Sequence, residues 1–173
     1  GAKLALQIIV AYEEGSENCI LHGDVGSENF ISDIIGVPSL AGVRNMNMES
    51  LYEYGTRVGF WRIFNELKAR GISTTVLANG LALENNPGYG RIMHDMGHEI
   101  ASHGWKWIDH QYMGLETERA HMKLAIKAIE KETGERPVGW YTGRNSSNTL
   151  DFVVEEGGFL YDADTYADDL PYW

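Results

Sequence analysis

Basic charge is scarce in this sequence: its 173 residues carry 14 lysines and arginines against 25 aspartates and glutamates, a formal net charge of −11. A field of that sign repels phosphate backbones and anionic lipid surfaces, so nucleic-acid and membrane partners are set aside. The one cysteine, Cys19, has no internal partner for a disulfide, which fits a reducing, cytoplasmic setting. No apolar run approaches the roughly 20 residues of a membrane-spanning helix, and no charged-then-apolar leader opens the chain. Linkers, low-complexity tracts and close repeats are missing too, which leaves one domain as the expectation. A strand-like run begins within a few residues of Gly1, and nothing closes the chain at Tyr172 and Trp173. The domain is therefore expected to be truncated at both ends relative to a longer protein.

What is present is apolar content, 43% hydrophobic and 11% aromatic, enough for one substantial core. Short β-rich runs alternate with amphipathic stretches, each switch marked by glycine or a capping residue. Residues 4–12 are almost uninterruptedly apolar and read as a strand buried on both faces. Residues 16–54 are rich in Gly, Ser and Asn and read as a long excursion with room for one short helix. Thr56 then reads as an N-cap, with Val58, Trp61, Phe64 and Leu67 on one helical face until Gly71. Residues 72–78 form a buried strand, and Pro87 opens a helix that Gly97 ends. Residues 98–102 form a strand, and 115–133 a helix with Met122, Ala125, Ile126 and Ile129 inward. Residues 138–141 form a strand. Asn148 and Asp151 cap a helix running to Gly157, and a last strand begins at Phe159. Strand, helix, strand at this spacing predicts an α/β fold of parallel strands with crossover helices. Periodicity does not choose between an open sheet and an αβ barrel, but in both, ligands bind at the carboxyl ends of the strands. Those tips carry Glu13 and Glu14, Asn79, His103 with Trp105 and Trp107, Tyr141 with Arg144, and Asp162 with Asp164.

These residue types suit hydrolysis. Two adjacent carboxylates at the end of a buried strand supply a general base whose pKa burial and a neighbouring charge raise, although such a pair elsewhere simply opens a solvated loop. His103 can move protons near neutral pH. A catalytic zinc needs about three protein ligands and an open position. Glu14 and His103 supply two, and Trp107 stands where a histidine four residues after His103 would complete the set. His22, His110 or Asp24 would serve only if a loop reached across, so a metal-free site is expected. Arg144 has the donor fork to hold a carbonyl or anionic oxygen, with backbone N–H groups near Gly143 beside it, or equally to pair with one of the many carboxylates. Trp105, Trp107, Trp140 and Tyr141 offer flat walls for a small planar ligand, with some of them equally placed to be core.

The series Tyr12-Glu13-Glu14-Gly15, Gly97-His98-Glu99-Ile100-Ala101-Ser102-His103, Arg136-Pro137-Val138-Gly139-Trp140-Tyr141 and Phe159-Leu160-Tyr161-Asp162 resembles the motifs of polysaccharide deacetylases with a NodB-type domain. In that superfamily the first motif carries an Asp-Asp pair, base then metal ligand, and the second carries two metal-binding histidines four apart. Here the pair is Glu13 and Glu14, and Trp107 replaces the second histidine. With His22-Gly23-Asp24, residues 102–109 and 139–144, and Tyr166 to Trp173, the chain resembles more narrowly the allantoinase-like branch of urate degradation. That resemblance implies a deformed (β/α) barrel, a homo-oligomer, no cofactor, and metal-independent opening of the hydantoin ring of allantoin to allantoate. Glu13, Glu14 and His103 would be catalytic, with Trp107, Tyr141, Arg144 and Asp162 binding this small cyclic amide. The alternatives are an N-deacetylase of polysaccharide or peptidoglycan with an atypical metal site, and an inactive carbohydrate-binding module.

Overall fold

In a computed structural model, which describes residues 3–168 and 170–173, five parallel strands form one sheet in the order β1-β2-β3-β4-β5. These are β1 (Ile9–Tyr12), β2 (Thr75–Ala78), β3 (Glu99–Ser102), β4 (Gly139–Trp140) and β5 (Tyr161–Asp162). Six α-helices connect and flank them: α1 (Met46–Tyr54), α2 (Phe60–Arg70), α3 (Gly80–Asn85), α4 (Tyr89–Asp95), α5 (Leu115–Thr133) and α6 (Thr149–Glu156). Each strand pairs with the next one in sequence. A doubly wound sheet reverses its order partway, whereas a barrel winds steadily in one direction. The alternative left open by periodicity is thus resolved in favour of barrel winding.

One apolar cluster joins Tyr12, Val76, Ala78 and Ile100 of the sheet to Phe60, Phe64 and Leu67 of α2, Leu83 and Met93. A second joins Trp140 to Met122, Ala125 and Ile126 of α5 and to Phe152 and Val153 of α6. Burying each large side chain contributes about 1.5–3 kcal/mol. Gly80 marks the closest approach: a Cβ there would lie 2.8 Å from the Ala125 Cα and 2.8 Å from Trp105. Because helix backbone cannot yield as a side chain can, Gly80→Ala is expected to destabilise by roughly 1–3 kcal/mol. Thermal unfolding would show it as a Tm several degrees lower.

Four expectations are corrected. The first strand is shorter than residues 4–12 and not buried on both faces: Leu4 and Leu6 precede it, 82% and 81% exposed, and within it Tyr12 and Val10 turn to the core while Ile9, on the other face, is 54% exposed. Thr56 is not an N-cap. Asn45 is, its side chain accepting from Met48 N at 3.2 Å, and α1 runs through a π-helical turn, Gly55–Gly59, straight into α2. Pro87 opens no helix but separates α3 from α4, whose N-cap is Gly88 at φ +90°. Asn148 makes no side-chain cap on α6. Instead the Ser146 hydroxyl accepts from Asn148 N, and the Thr149 hydroxyl from Ser146 N.

Candidate active site

Parallel pairing continues one residue past the strands. Asn79 N donates to Tyr12 O, His103 N to Ala78 O, and Tyr141 N to Ser102 O, at 2.9–3.1 Å. Glu13, Asn79, His103 and Tyr141 therefore form one row across the tips, and alternation turns them to the face opposite the preceding row of Tyr12, Ala78, Ser102 and Trp140. That preceding row carries Tyr12 and Trp140 into the cores beneath the helices.

Within the row, His103 is the junction. Its ring stacks on Tyr141 at 5.1 Å between centroids, its Nδ1 lies 2.9 Å from the Tyr141 carbonyl oxygen, and its Nε2 lies 3.2 Å from Glu13 Oε1. The carbonyl only accepts, so it assigns the Nδ1 hydrogen. The Nε2–Glu13 contact then needs one further proton, held by the imidazole or by the carboxyl. At 3.2 Å the two members are placed to pass a proton between them. His103 is 4% exposed and Glu13 23%, so Glu13 is the member that meets solvent. Asn79, wholly buried, donates its side-chain amide to the His103 carbonyl and fixes the backbone beneath the ring.

Glu14 behaves differently. Its Oε2 accepts from Glu13 N, and its carboxylate lies against Gly55 so closely that a Cβ there would sit 2.4 Å from Oε1 and 2.6 Å from Cγ. Burial, with the charges of Glu13 and Glu17, raises its pKa above the ordinary carboxylate value. Gly55 has ordinary helical torsions, so alanine fits the backbone there and its three nearest clashes are all with the Glu14 side chain. Gly55→Ala is expected to keep the fold while expelling this carboxylate, which a crystal structure of the variant would show as a changed Glu14 rotamer.

The loops are stitched together by contacts that carried no signal in the sequence. Asn85 and Asn86 donate to the Gly15 and Glu14 carbonyls. Trp107 N donates to Ser16 O, and Lys106 pairs with Asp24, whose other oxygen accepts from Cys19 N. Only the long-range register of the two loops makes these partners, so no local pattern announces them.

The remaining site expectations separate. Trp107 is half-buried, edge-on to Phe30 at 5.8 Å, with the Arg144 guanidinium 4.3 Å above its ring. Arg144 donates to the Trp107 carbonyl at 2.9 Å and lies 3.6 Å from Glu28, so it braces Trp107 rather than reaching the Glu13–His103 pair. The backbone donors expected at an oxyanion are also engaged: Thr142 N and Gly143 N both donate to Asp164. Tyr141 lines the row, its hydroxyl bonded to Tyr166 and its pKa pushed up to about 12 by that bond and then by burial. Asp162 pairs in register with Trp140, in the row before His103, and hydrogen-bonds to neither member of the pair. Burial and the Asp164 charge push it up to about 6.

The sign for Asp162 follows from linkage. The folded protein holds this proton up to about pH 6 while the unfolded chain releases it near pH 4, so its contribution to stability is lost as pH rises through that window. Asp162→Asn is expected to raise Tm at pH 7.5, with the gain vanishing at pH 4.

A zinc ion requires about three nitrogen, oxygen or sulfur ligands. Among the described residues no group of three or more His, Cys, Asp or Glu is placed to supply them. Glu14 faces Gly55, His110 is buried elsewhere, Asp24 is held by Lys106, and His22 is exposed. This donor set does not fit a catalytic metal. Nor does the cavity of about 290 Å³ in the excursion serve the chemistry: it lies among Ser27, Val37, Leu40, Arg44 and Asn47, and its one ionisable group, Arg44, is paired with Glu49.

A carboxylate–imidazole pair thus stands at the tips of a sequentially wound parallel sheet, and proteins of known family share this architecture. The polysaccharide deacetylase family profile matches residues 48–157. A Schizosaccharomyces pombe protein named as a polysaccharide deacetylase is 39% identical over 181 residues, 99% of this chain and 56% of its own. The crystal structure of PuuE allantoinase superposes with a TM-score of 0.92 at 54% identity, over 96% of this chain and 55% of that one. A polysaccharide deacetylase-type protein of Pseudomonas aeruginosa PAO1 superposes at 0.93 and 54% identity, over 96% of this chain and 56% of that one. The chain belongs to the polysaccharide deacetylase family. It spans about half the length of these relatives, and among its described residues no helix is long and apolar enough to cross a membrane.

Proposed function

We propose that the protein opens the ring of a small cyclic amide, with allantoin as substrate and allantoate as product, and that Glu13 and His103 move the protons without a metal ion. The observation that carries this reading is the 3.2 Å contact between His103 Nε2 and Glu13 Oε1, with the other imidazole nitrogen tied to the Tyr141 carbonyl. Glu13 takes a proton from a water molecule whose oxygen adds to the ring carbonyl. The protonated Nε2 of His103 gives its hydrogen to the ring nitrogen as the C–N bond breaks. Glu13 then passes the water-derived proton back to His103, restoring the pair, and the new carboxylic acid ionises into solvent. A cation is not needed for any of these transfers, and general acid–base catalysis of this kind supplies about 10²–10⁴ in rate. Trp107, braced by Arg144 and facing Phe30, and the exposed edge of Tyr141 supply flat apolar surface for a planar ring.

The two solved structures at 54% identity bear different names, an allantoinase and a polysaccharide deacetylase, so the chemistry must discriminate. The deciding experiment is an assay of the purified protein on allantoin and on N-acetylglucosamine oligomers, each with and without a chelator. Ring opening that survives chelation supports the proposal; acetate release abolished by chelation refutes it.

A further inference from the structure

Behind the candidate site lies a second polar cluster that the mechanism does not use. A water-sized cavity of about 10 Å³ is lined by Gly104, His110, Glu118, His121, Thr142 and Thr149, among others. His110 is 4% exposed, and neither of its ring nitrogens has a hydrogen-bond partner among the described residues; the same is true of His121 Nδ1. Glu118, equally buried at 4%, accepts from the hydroxyls of Ser146 and Thr149. Buried polar groups without partners are rare in folded proteins. A neutral imidazole has one donor and one acceptor, and a buried water makes about three hydrogen bonds to such groups. The cavity has the volume of one such water and three unpartnered nitrogens in the residues around it.

We propose that this cavity is an internal hydration site in which one water bridges His110 and His121, and that through it the two histidines act as positioning residues for the loop carrying His103 and Trp107. The lever is covalent and short. Gly104, next to His103, forms one wall of the cavity, with the His110 ring 3.7 Å from where its Cβ would lie. His110 N donates to the Arg144 carbonyl at 3.0 Å, and Arg144 holds the Trp107 carbonyl. Water on the ring nitrogens thus fastens the far end of the 103–110 segment to α5, while the strand tip fastens the near end.

Charge state decides whether the bridge holds. Burial depresses the pKa of both imidazoles. Arg144 reinforces this at His110, and His110 with Lys106 reinforces it at His121, while Glu118 opposes it at both; Asp109 and Asp164 also oppose it at His110. The neutral rings that a bridging water needs are therefore the form the folded protein favours at pH 7. The unfolded chain takes up these protons at higher pH, so their contribution to stability is lost as pH falls below about 6.5.

The water is tested by NMR of the protein with ¹⁵N-labelled histidine at pH 7. Neutral His110 and His121 rings with through-space transfer from their ring hydrogens to a long-lived water are expected; a protonated His110, or no water contact to either ring, overturns the site. Positioning rests on the ring-opening reading above and is tested by His110→Phe, which fills the cavity without a polar atom, and by His110→Gln, which retains a donor and an acceptor. His110→Phe should lower kcat tenfold or more with KM within twofold, and His110→Gln should recover most of it. Native kcat in His110→Phe overturns the positioning role, as does an equal loss in both variants with the fold intact. Should the native protein open no cyclic amide, that result refutes the proposed function, while the NMR measurement still decides the hydration site.

Discussion

Replacing His103 with alanine is expected to lower kcat for ring opening by about 10²–10⁴, with a much smaller change in KM. The imidazole faces Glu13 at Nε2 and is fixed at Nδ1 by a carbonyl that belongs to the next strand tip. Removing it deletes the acid that protonates the leaving nitrogen and leaves Glu13 without its partner. The same substitution deletes the ring stacked on Tyr141, so a loss of stability must be separated from a loss of chemistry. His103→Gln makes that separation. Its amide keeps much of the ring's volume and can donate to the carbonyl, but it cannot carry a proton between Glu13 and a leaving group. Equal losses of kcat in the two variants, with near-native Tm in His103→Gln, are the expected outcome. Native turnover in either variant would remove His103 from the mechanism.

Much of this arrangement was legible in the sequence, and the reason is directional. Once short β-rich runs and helices alternate, the strands are parallel and every run ends on the same side, so the residues after Tyr12, Ala78, Ser102 and Trp140 had to gather at one rim. That argument located Glu13, His103 and Tyr141. It failed for Asp162 because a residue on a strand one register step earlier faces the other way, and the end of a two-residue strand is not visible in the periodicity. It could not give the contacts of Arg144, because its partners, Glu28 and the Trp107 carbonyl, lie in loops whose path no local pattern fixes. Asp164 was seen at the rim, but its task of binding the Thr142 and Gly143 amides depends on a turn between strands that only the fold creates. The π-helical turn at Gly55–Gly59 was missed for a related reason. Gly55, Thr56, Val58 and Gly59 are poor helix formers and read as a break with a new cap, whereas the chain stays helical there, irregular where the Glu14 carboxylate, about forty residues earlier in sequence, packs against it. The apolar run at residues 4–12 misled because its composition is that of a strand covered on both faces, while in β1 only the face of Val10 and Tyr12 turns to the core.

The two adjacent glutamates should separate sharply when each is changed to glutamine. Glu13 touches His103 and reaches solvent, so Glu13→Gln is expected to cost about 10²–10⁴ in kcat, like the loss of its partner. Glu14 is turned from the row toward Gly55 and hydrogen-bonded to its neighbour's backbone; glutamine can keep that bond through its carbonyl oxygen, and a loss of no more than about tenfold is expected. Stability should move in the opposite sense. The folded protein holds the Glu14 carboxyl above its ordinary pKa, chiefly by burial and then by the charges of Glu13 and Glu17. Its ionisation therefore opposes folding once pH rises beyond the unfolded value near 4.3, and the neutral amide escapes that cost. Glu14→Gln should consequently raise Tm at pH 7.5 and lose the advantage near pH 4, whereas Glu13→Gln, whose amide can still donate to His103 Nε2, relieves no buried carboxylate and should bring no such gain. Kinetics and thermal unfolding of the two variants side by side decide the assignment. A collapse of turnover in Glu14→Gln with Glu13→Gln active would make the buried carboxylate the base and would require it to swing out of its place against Gly55.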